Sequence, residues 1–202
     1  RRSRDPVMNA NAVQLVTKAL QDLLSDAIGP VYVGPLDDPQ AAGAKAVLFL
    51  YRVAINADLR NSEHVLPPQV PGGPPVVYDS ALPLDLFYLL TPGDAQAGGE
   101  LDALATLGRA MQVLNAAPNL TGVPVQGETV RVTLDPISSE EMSRIWALFP
   151  VANYRTSVVY LVTPVWLDPV APVVMAASRV AFWGALAMAL TAGVGMLFGV
   201  AA

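Results

Sequence analysis

The residues of this chain that could carry out chemistry are few. His64 is the only histidine, and it lies in a proline-rich stretch. A lone surface histidine of this kind is far more often inert than a general acid or base. Glu140 and Glu141 could act as an acid–base pair, but they are adjacent at a predicted helix start. A capping box and the helix dipole already explain two carboxylates at that position.

The sequence also lacks the motifs that hold phosphate groups, metals or an activated nucleophile. It contains no cysteine, which excludes disulfides, thiolate metal sites and a cysteine nucleophile. A Walker loop, a G-x-S-x-G turn and an H-E-x-x-H helix are all missing. The glycines at 193, 195 and 199 lie in an apolar run and do not follow a strand, so they are not a dinucleotide fingerprint. The sequence predicts a protein that is not an enzyme and that has no cofactor and no metal site.

The composition indicates an assembly rather than a solitary soluble domain. Of the 202 residues, 53% are apolar and only 14% are charged, so apolar surface must be buried against other subunits or must meet lipid. The net charge of −5 argues against sequence-independent binding of nucleic acid. Residues 1–7 hold three arginines and are expected to be disordered.

The stretch that must organise the fold is residues 82–92, LPLDLFYLLTP. Alternate residues of a strand point to opposite faces of the sheet. One face of this stretch, from Leu82 to Leu90, is wholly apolar and must be covered by helices. The other face combines large apolar groups with Asp85. The pattern therefore predicts the central strand of the domain.

Three further strands and two long helices are predicted around this strand. Alternation predicts strands over 46–57, 128–134 and 154–163, and residues 31–33 are a candidate short strand. Apolar residues at helical spacing predict two helices, one over 13–28 and one carrying Leu101, Leu104, Leu107, Met111 and Leu114. A capping box of Ser138 and Glu141 opens a short third helix. The predicted fold class is α+β, a two-layer sandwich of a roughly four-stranded mixed or antiparallel sheet with both long helices on one face.

The open face of this sheet is the candidate site. It is expected to carry four charged residues, Arg52, Asp85, Arg131 and Arg155, and four large apolar ones, Leu48, Leu50, Phe87 and Leu89. One interpretation is a solvated face with a cross-strand pair of Arg52 and Asp85, worth under about 1 kcal/mol. The other is a contact between subunits, which the apolar neighbours favour. Asp58, Arg60 and Asn61, in the turn after the strand over 46–57, complete the interface candidates.

Residues 62–80 contain five prolines and two glycines within 67–75, which excludes a helix or a central strand. We interpret the stretch as an extended surface loop. It is either a disordered loop or an arm that becomes ordered on a neighbouring molecule.

Three stretches, in order, resemble the N-terminal domain of the cap, or tube-terminator, proteins of phage-tail-like extracellular contractile injection systems. The first is LFLYRVAINADLRN at 48–61. The second is LPLDLFYLLTP at 82–92 together with ATLGRAMQVLNAAPNLTG at 105–122. The third is SSEEMSRIWALFPVANYRTSVVYLVTPVWLD at 138–168. The resemblance covers residues 8–170, which we take as the domain.

The resemblance implies a homo-oligomeric ring, with six subunits expected, at the end of the tube and sheath that lies away from the baseplate. There such a protein ends polymerisation and couples the sheath to the inner tube. It would be a cytoplasmic structural protein within an assembled particle. The family supplies no catalytic residues to transfer to this chain.

Residues 171–202 are predicted to form an apolar C-terminal helix outside the family pattern. Residues 180–202 contain no charge, and this length spans a bilayer if helical. Arg179 flanks the stretch, Trp183 lies near an interfacial position, and Gly195 and Gly199 permit close helix packing. A membrane anchor is slightly favoured over a helix buried in the ring. The alternative function is a membrane-tethered adaptor.

Overall fold

The computed structural model describes residues 11–66, 76–78, 81–94, 99–125, 127–168 and 188. The chain divides into two compact units. The larger comprises Asn9–Arg60 and Pro83–Leu167, and the smaller includes Asn61–Leu82. The predicted C-terminal helix, with Arg179, Trp183, Gly195 and Gly199, lies outside the described residues apart from Met188, and so does the predicted disordered stretch 1–7. Among the described residues, no helix combines the length and the apolar character needed to cross a membrane.

The elements follow one another in the order α1 (Ala12–Ile28), β1 (Val31–Val33), β2 (Ala46–Ile55), β3 (His64–Leu66), β4 (Val76–Tyr78), β5 (Leu82–Pro92), α2 (Glu100–Ala116), β6 (Asn119–Thr121), β7 (Thr129–Asp135), α3 (Ser139–Trp146) and β8 (Val158–Leu167). One sheet has six strands in the order β1-β2-β5-β8-β7-β6. β1 is parallel to β2, whereas β2 and β5, β6 and β7, and β7 and β8 pair antiparallel.

The α+β class is confirmed, and the expected four strands are corrected to six. The two additional strands, β1 and β6, have three residues each and lie at the edges of the sheet. A strand of three residues is too short to show a period of two, which is why 31–33 was only a candidate strand and 119–121 was not predicted. The last strand begins at Val158, four residues later than its pattern predicted.

The predicted helix-facing side of β5 is confirmed from Leu84 to Leu90, whereas Leu82, which the pattern placed on the same side, is 40% exposed at the start of the strand. Leu84, Leu86, Tyr88 and Leu90 are buried in one apolar cluster with Val16, Leu20 and Leu24 of α1 and Leu107 and Leu114 of α2. Each large apolar side chain buried in this way stabilises the fold by roughly 1.5–3 kcal/mol before entropy is counted. β5 is therefore the centre of the main core.

The opposite face of the sheet is not open along its whole length, and this differs from the predicted two layers. A second cluster covers part of it, formed by Val47 of β2, Leu89 of β5, Val159 of β8, Trp146 at the end of α3 and Phe149 three residues after it. The capping box that begins α3 is present, since the Ser138 hydroxyl accepts from the Glu141 backbone N–H at 3.1 Å. Hydrogen bonds from the Ser138 backbone N–H and hydroxyl also lower the pKa of Glu141, so this carboxylate has a structural role.

A β-bulge at Tyr51 changes which side chains of β2 share a face. Leu50 pairs with Tyr88, but Arg52, and not Tyr51, pairs with Phe87. Before the bulge, Leu48 and Leu50 pack in the main core, on the side of α1 and α2. The prediction that these leucines share the face of Arg52 is therefore wrong, because one extra residue reverses the alternation.

The buried face of α2 also differs from the expected one. Ala103, Leu107, Ala110 and Leu114 are buried. Leu101, in contrast, is 79% exposed, and Leu104 is 43% exposed. Alanines at the contact allow α2 to lie close to α1 and the sheet, which rotates the first two leucines of the pattern outward.

Tyr88 makes the main core sensitive to alkaline pH. Its side chain is fully buried, its hydroxyl lies 2.7 Å from the Thr17 hydroxyl, and burial raises the pKa of Tyr88 to about 12. An unfolded tyrosine ionises near pH 10, so between pH 10 and 12 the unfolded chain loses a proton that the folded chain retains. This stability contribution is complete below pH 10 and is lost as the pH rises towards 12.

We expect the free energy of unfolding to fall by up to about 3 kcal/mol over these two pH units. The Tyr88→Phe variant should show a shallower fall, measured by urea unfolding at pH 9 and pH 11.5. The matched control is Tyr154→Phe, because Tyr154 is exposed. Equal pH slopes for wild type and Tyr88→Phe would contradict the prediction.

The smaller unit contains a short hairpin within the stretch predicted to be a loop. β3 pairs antiparallel with β4, and His64 stacks against Tyr78 with ring centroids 6.4 Å apart. His64 is buried, and its Nδ1 lies 2.5 Å from the Asp168 carboxylate. The expectation of a surface histidine is therefore wrong. Residues 67–75, which hold all five prolines of this stretch, lie outside the described residues.

Candidate functional site: an assembly surface

Asp85 is the centre of a hydrogen-bond network that joins three strands. Its Oδ1 accepts a hydrogen bond from Asn56 Nδ2 at 2.9 Å and another from the Thr163 hydroxyl. Asn56 directly follows β2, and Thr163 lies on β8, so the network links β2, β5 and β8. Asp85 is half-buried, and hydrogen bonds to a charged acceptor are stronger than neutral ones. The network therefore fixes this end of the sheet.

The same asparagine shapes the turn that follows β2. Asn56 Oδ1 accepts from the backbone N–H groups of Asp58 at 3.1 Å and Leu59 at 3.0 Å. A side chain that mimics a backbone turn in this way is an Asx turn. Asp58 and Arg60, both predicted interface residues, are exposed on this turn, and Asn61 is the next exposed residue.

Arg52 does not form the cross-strand pair with Asp85 that one interpretation of the sequence contained. Its guanidinium carbon lies 4.7 Å from the centroid of the Phe87 ring, and Arg52 itself is exposed. Asp85 instead lies opposite Ala54 and is held by Asn56 and Thr163. An arginine stacked on an aromatic ring keeps its hydrogen-bond donors available for a partner.

Arg131 lies on the same face of the sheet as this network. It is directly opposite Thr163 across β7 and β8, and directly opposite residues of neighbouring strands share a face. Arg131 is exposed, and among the described residues neither it nor Arg52 forms an ion pair. We call Arg52, Phe87 and Arg131 the arginine surface.

Arg155 belongs to a different part of the domain. It precedes β8, its Nη1 donates to the Pro92 carbonyl at 3.1 Å, and its Nη2 donates to the Asp94 carboxylate. These partners lie at the far end of β5 from Asp85. The structure thus brings Arg52, Phe87, Asp85 and Arg131 to one face and separates Arg155 from them.

Sequence reasoning missed Asn56 and Thr163 as parts of the site. The Asx turn was accessible in principle, because an asparagine two residues before Asp58 ends a strand pattern. The contact of Thr163 with Asp85 joins residues 78 positions apart, and no local pattern contains it.

Comparison with known families identifies the chain. The Pvc16 N-terminal domain family matches residues 15–177, which is most of the 202 residues. The chain belongs to this family. The resemblance inferred from the sequence is therefore confirmed. Among curated proteins, no match is found.

Two solved structures share the fold of this Pvc16 N-terminal domain. The first is the sheath/tube terminator of an extracellular contractile injection system named PVC, with 20% identity and a TM-score of 0.55 over 79% of this chain. The second is the tube-terminating cap of the anti-feeding prophage, with 18% identity and a TM-score of 0.51, also over 79% of this chain. The match spans 57% and 55% of those chains, so it covers little more than half of each relative.

Proposed function

We propose that this protein is a structural cap that terminates the tube and sheath of a contractile injection system. The observation that carries the proposal is the shared fold, over 79% of the chain, with two proteins described as a sheath/tube terminator and a tube-terminating cap. Membership of the Pvc16 N-terminal domain family supports it independently of the coordinates.

In this proposal the protein acts by binding and not by turnover. It forms a ring, with six copies expected, at the baseplate-distal end of the particle, and it contacts sheath and inner-tube proteins. Assembly takes place in the cytoplasm. The half-buried carboxylate of Asp85 links three strands, and two arginines are exposed on the same face. Such an arrangement suits a rigid contact surface. In this proposal the predicted interface residues of this face therefore contact other subunits of the particle. A membrane-tethered adaptor would depend on residues 180–202 alone.

The test is deletion of the gene in a strain that makes the particles. Without a terminator, polymerisation of tube and sheath has no defined end, so we expect particles of variable and increased length or a large loss of intact particles. Electron microscopy of purified particles measures the length distribution. A plasmid copy of the wild-type gene is the control and should restore a narrow distribution. Unchanged length and normal yield in the deletion strain would contradict the terminator role.

A further inference from the structure

The solvent-facing side of α2 carries a stripe of apolar residues. Within the described part of the chain, these residues do not belong to either hydrophobic cluster. Leu101, Leu104, Ala105 and Gly108 follow helical spacing, and all four are exposed. An added Cβ at Gly108 would meet no atom within 4 Å, so the stripe is open at that point. Glu100 flanks the most exposed leucine and is itself exposed. We call Glu100, Leu101 and Leu104 the leucine surface.

The leucine surface and the arginine surface are complementary in chemistry. One offers exposed leucines beside a carboxylate. The other offers an aromatic ring stacked on the Arg52 guanidinium, with Arg131 exposed on the same face two strands away, and neither arginine forms an ion pair within the described residues. Aromatic and arginine side chains are enriched in protein interfaces, and an apolar centre with charges around it is the usual arrangement. The exposed Glu100 beside Leu101 is the carboxylate that a second copy of this chain would bring to the arginines.

The two surfaces cannot meet within one molecule. Phe87 lies on the face of the sheet opposite the one on which α2 packs, since Tyr88, the next residue, is in the core with Leu107. α2 also begins beyond the end of β5 at Pro92, five residues from Phe87, which is about 17 Å along a strand. A contact between unlike surfaces at different ends of a subunit is heterologous, and such contacts generate rings when the rotation closes.

We propose that the arginine surface of one subunit binds the leucine surface of the next copy and that this contact closes the ring. Leu101 packs against Phe87 of the neighbour, and Glu100 accepts hydrogen bonds from its arginines. The inference rests on the proposed ring and adds to it the identity of the two surfaces. It also assigns the arginine surface to a second copy of this chain and not to the sheath or the tube.

The test uses charge reversal in trans, with the full chain in assembling particles. Variant A carries Arg52→Glu and Arg131→Glu, and variant B carries Glu100→Arg. We expect each variant alone to be incorporated into purified particles at least tenfold less than wild type. Together, A and B should restore at least half of the wild-type amount, because each reversed surface then finds an opposite charge on the other variant. A chain with all three substitutions should be restored for the same reason.

One control and two further measurements keep the result interpretable. Lys18→Glu changes an exposed charge on α1 outside both surfaces and should be incorporated normally. Leu101→Ala removes an exposed side chain without disturbing the core and should reduce incorporation at least threefold. A second readout exploits the absence of cysteine. Arg131→Cys with Glu100→Cys in one chain should give ladders after treatment with a bismaleimide cross-linker, because an ion pair of long side chains holds the two Cα atoms too far apart for a direct disulfide. Either cysteine alone should give no ladder.

The outcomes separate this inference from the proposed function. Normal incorporation of variant A or variant B alone would overturn the contact, and so would failure of the A and B mixture to recover or the absence of cross-linked ladders. A loss in A that B cannot rescue would assign the arginine surface to the sheath or tube. In each case the deletion phenotype still stands. Unchanged particles in the deletion strain would instead contradict the terminator role.

Discussion

Replacing Asp85 with arginine is expected to lower the free energy of unfolding by about 3 kcal/mol, and particles should then lack the protein. The carboxylate accepts hydrogen bonds from Asn56 and Thr163, and each hydrogen bond to a charged group contributes about 1.5–3 kcal/mol. Arginine removes the acceptor and leaves both donors facing a cation. Because Asp85 is only half-buried, the lower end of the combined range applies. Urea unfolding of the purified chain measures the change.

The matched control is Asp85→Asn, which has the same size, retains the one oxygen that accepts both hydrogen bonds and replaces the other oxygen with an uncharged NH2 group. We expect it to cost about 1 kcal/mol, the difference between a charge-assisted and a neutral hydrogen bond. An additional Thr163→Val substitution in the Asp85→Arg background should add little, since the bond is already lost. If Asp85→Arg unfolds like wild type, or if both substitutions cost the same amount, the network does not hold this end of the sheet.

Truncating Leu107 to alanine is expected to destabilise the chain by about 2–4 kcal/mol, whereas the same truncation of Leu101 should change stability by less than about 0.5 kcal/mol. Leu107 lies in the main core between α2 and the sheet, and Leu101 is 79% exposed on the same helix. The helix propensities of leucine and alanine are close, so the difference reports burial. Thermal or urea unfolding of the two variants measures it.

The two truncations distinguish the orientation of α2 in the structure from the orientation that the sequence pattern predicts. Read as one amphipathic stripe, both leucines belong to the core, and their truncations should then cost similar amounts. Similar costs would contradict the observed orientation of α2. They would also remove the basis for a contact through Leu101 in the ring.

The elements of the fold could be predicted where a single stretch contains the whole signal. The bounds of β5 agree with the pattern over 82–92, because alternation over eleven residues has no competing interpretation. The capping box of Ser138 and Glu141 is likewise local, since both hydrogen bonds lie within one turn of helix. The family was also visible in the sequence, because three long stretches occur in the expected order.

The candidate site was predictable only in part. Asp85, Phe87 and Arg131 share one face because β5 and β7 alternate regularly near these residues, whereas Arg52 reaches that face only through the bulge at Tyr51. Their partners were not predictable. The bulge at Tyr51 places Arg52 opposite Phe87. Asp85 accepts hydrogen bonds from Asn56 and Thr163 and does not pair with Arg52.

By itself, the sequence determined the central strand, the helices, the α+β class and the family. Tertiary structure alone decided which face of α2 is buried, how α3 covers the second face and where Arg155 lies. The physical reason is the range of the interactions. Periodicity and caps depend on neighbours within a few residues, whereas helix orientation, bulges and cross-strand hydrogen bonds depend on the packing of segments that are far apart in the chain.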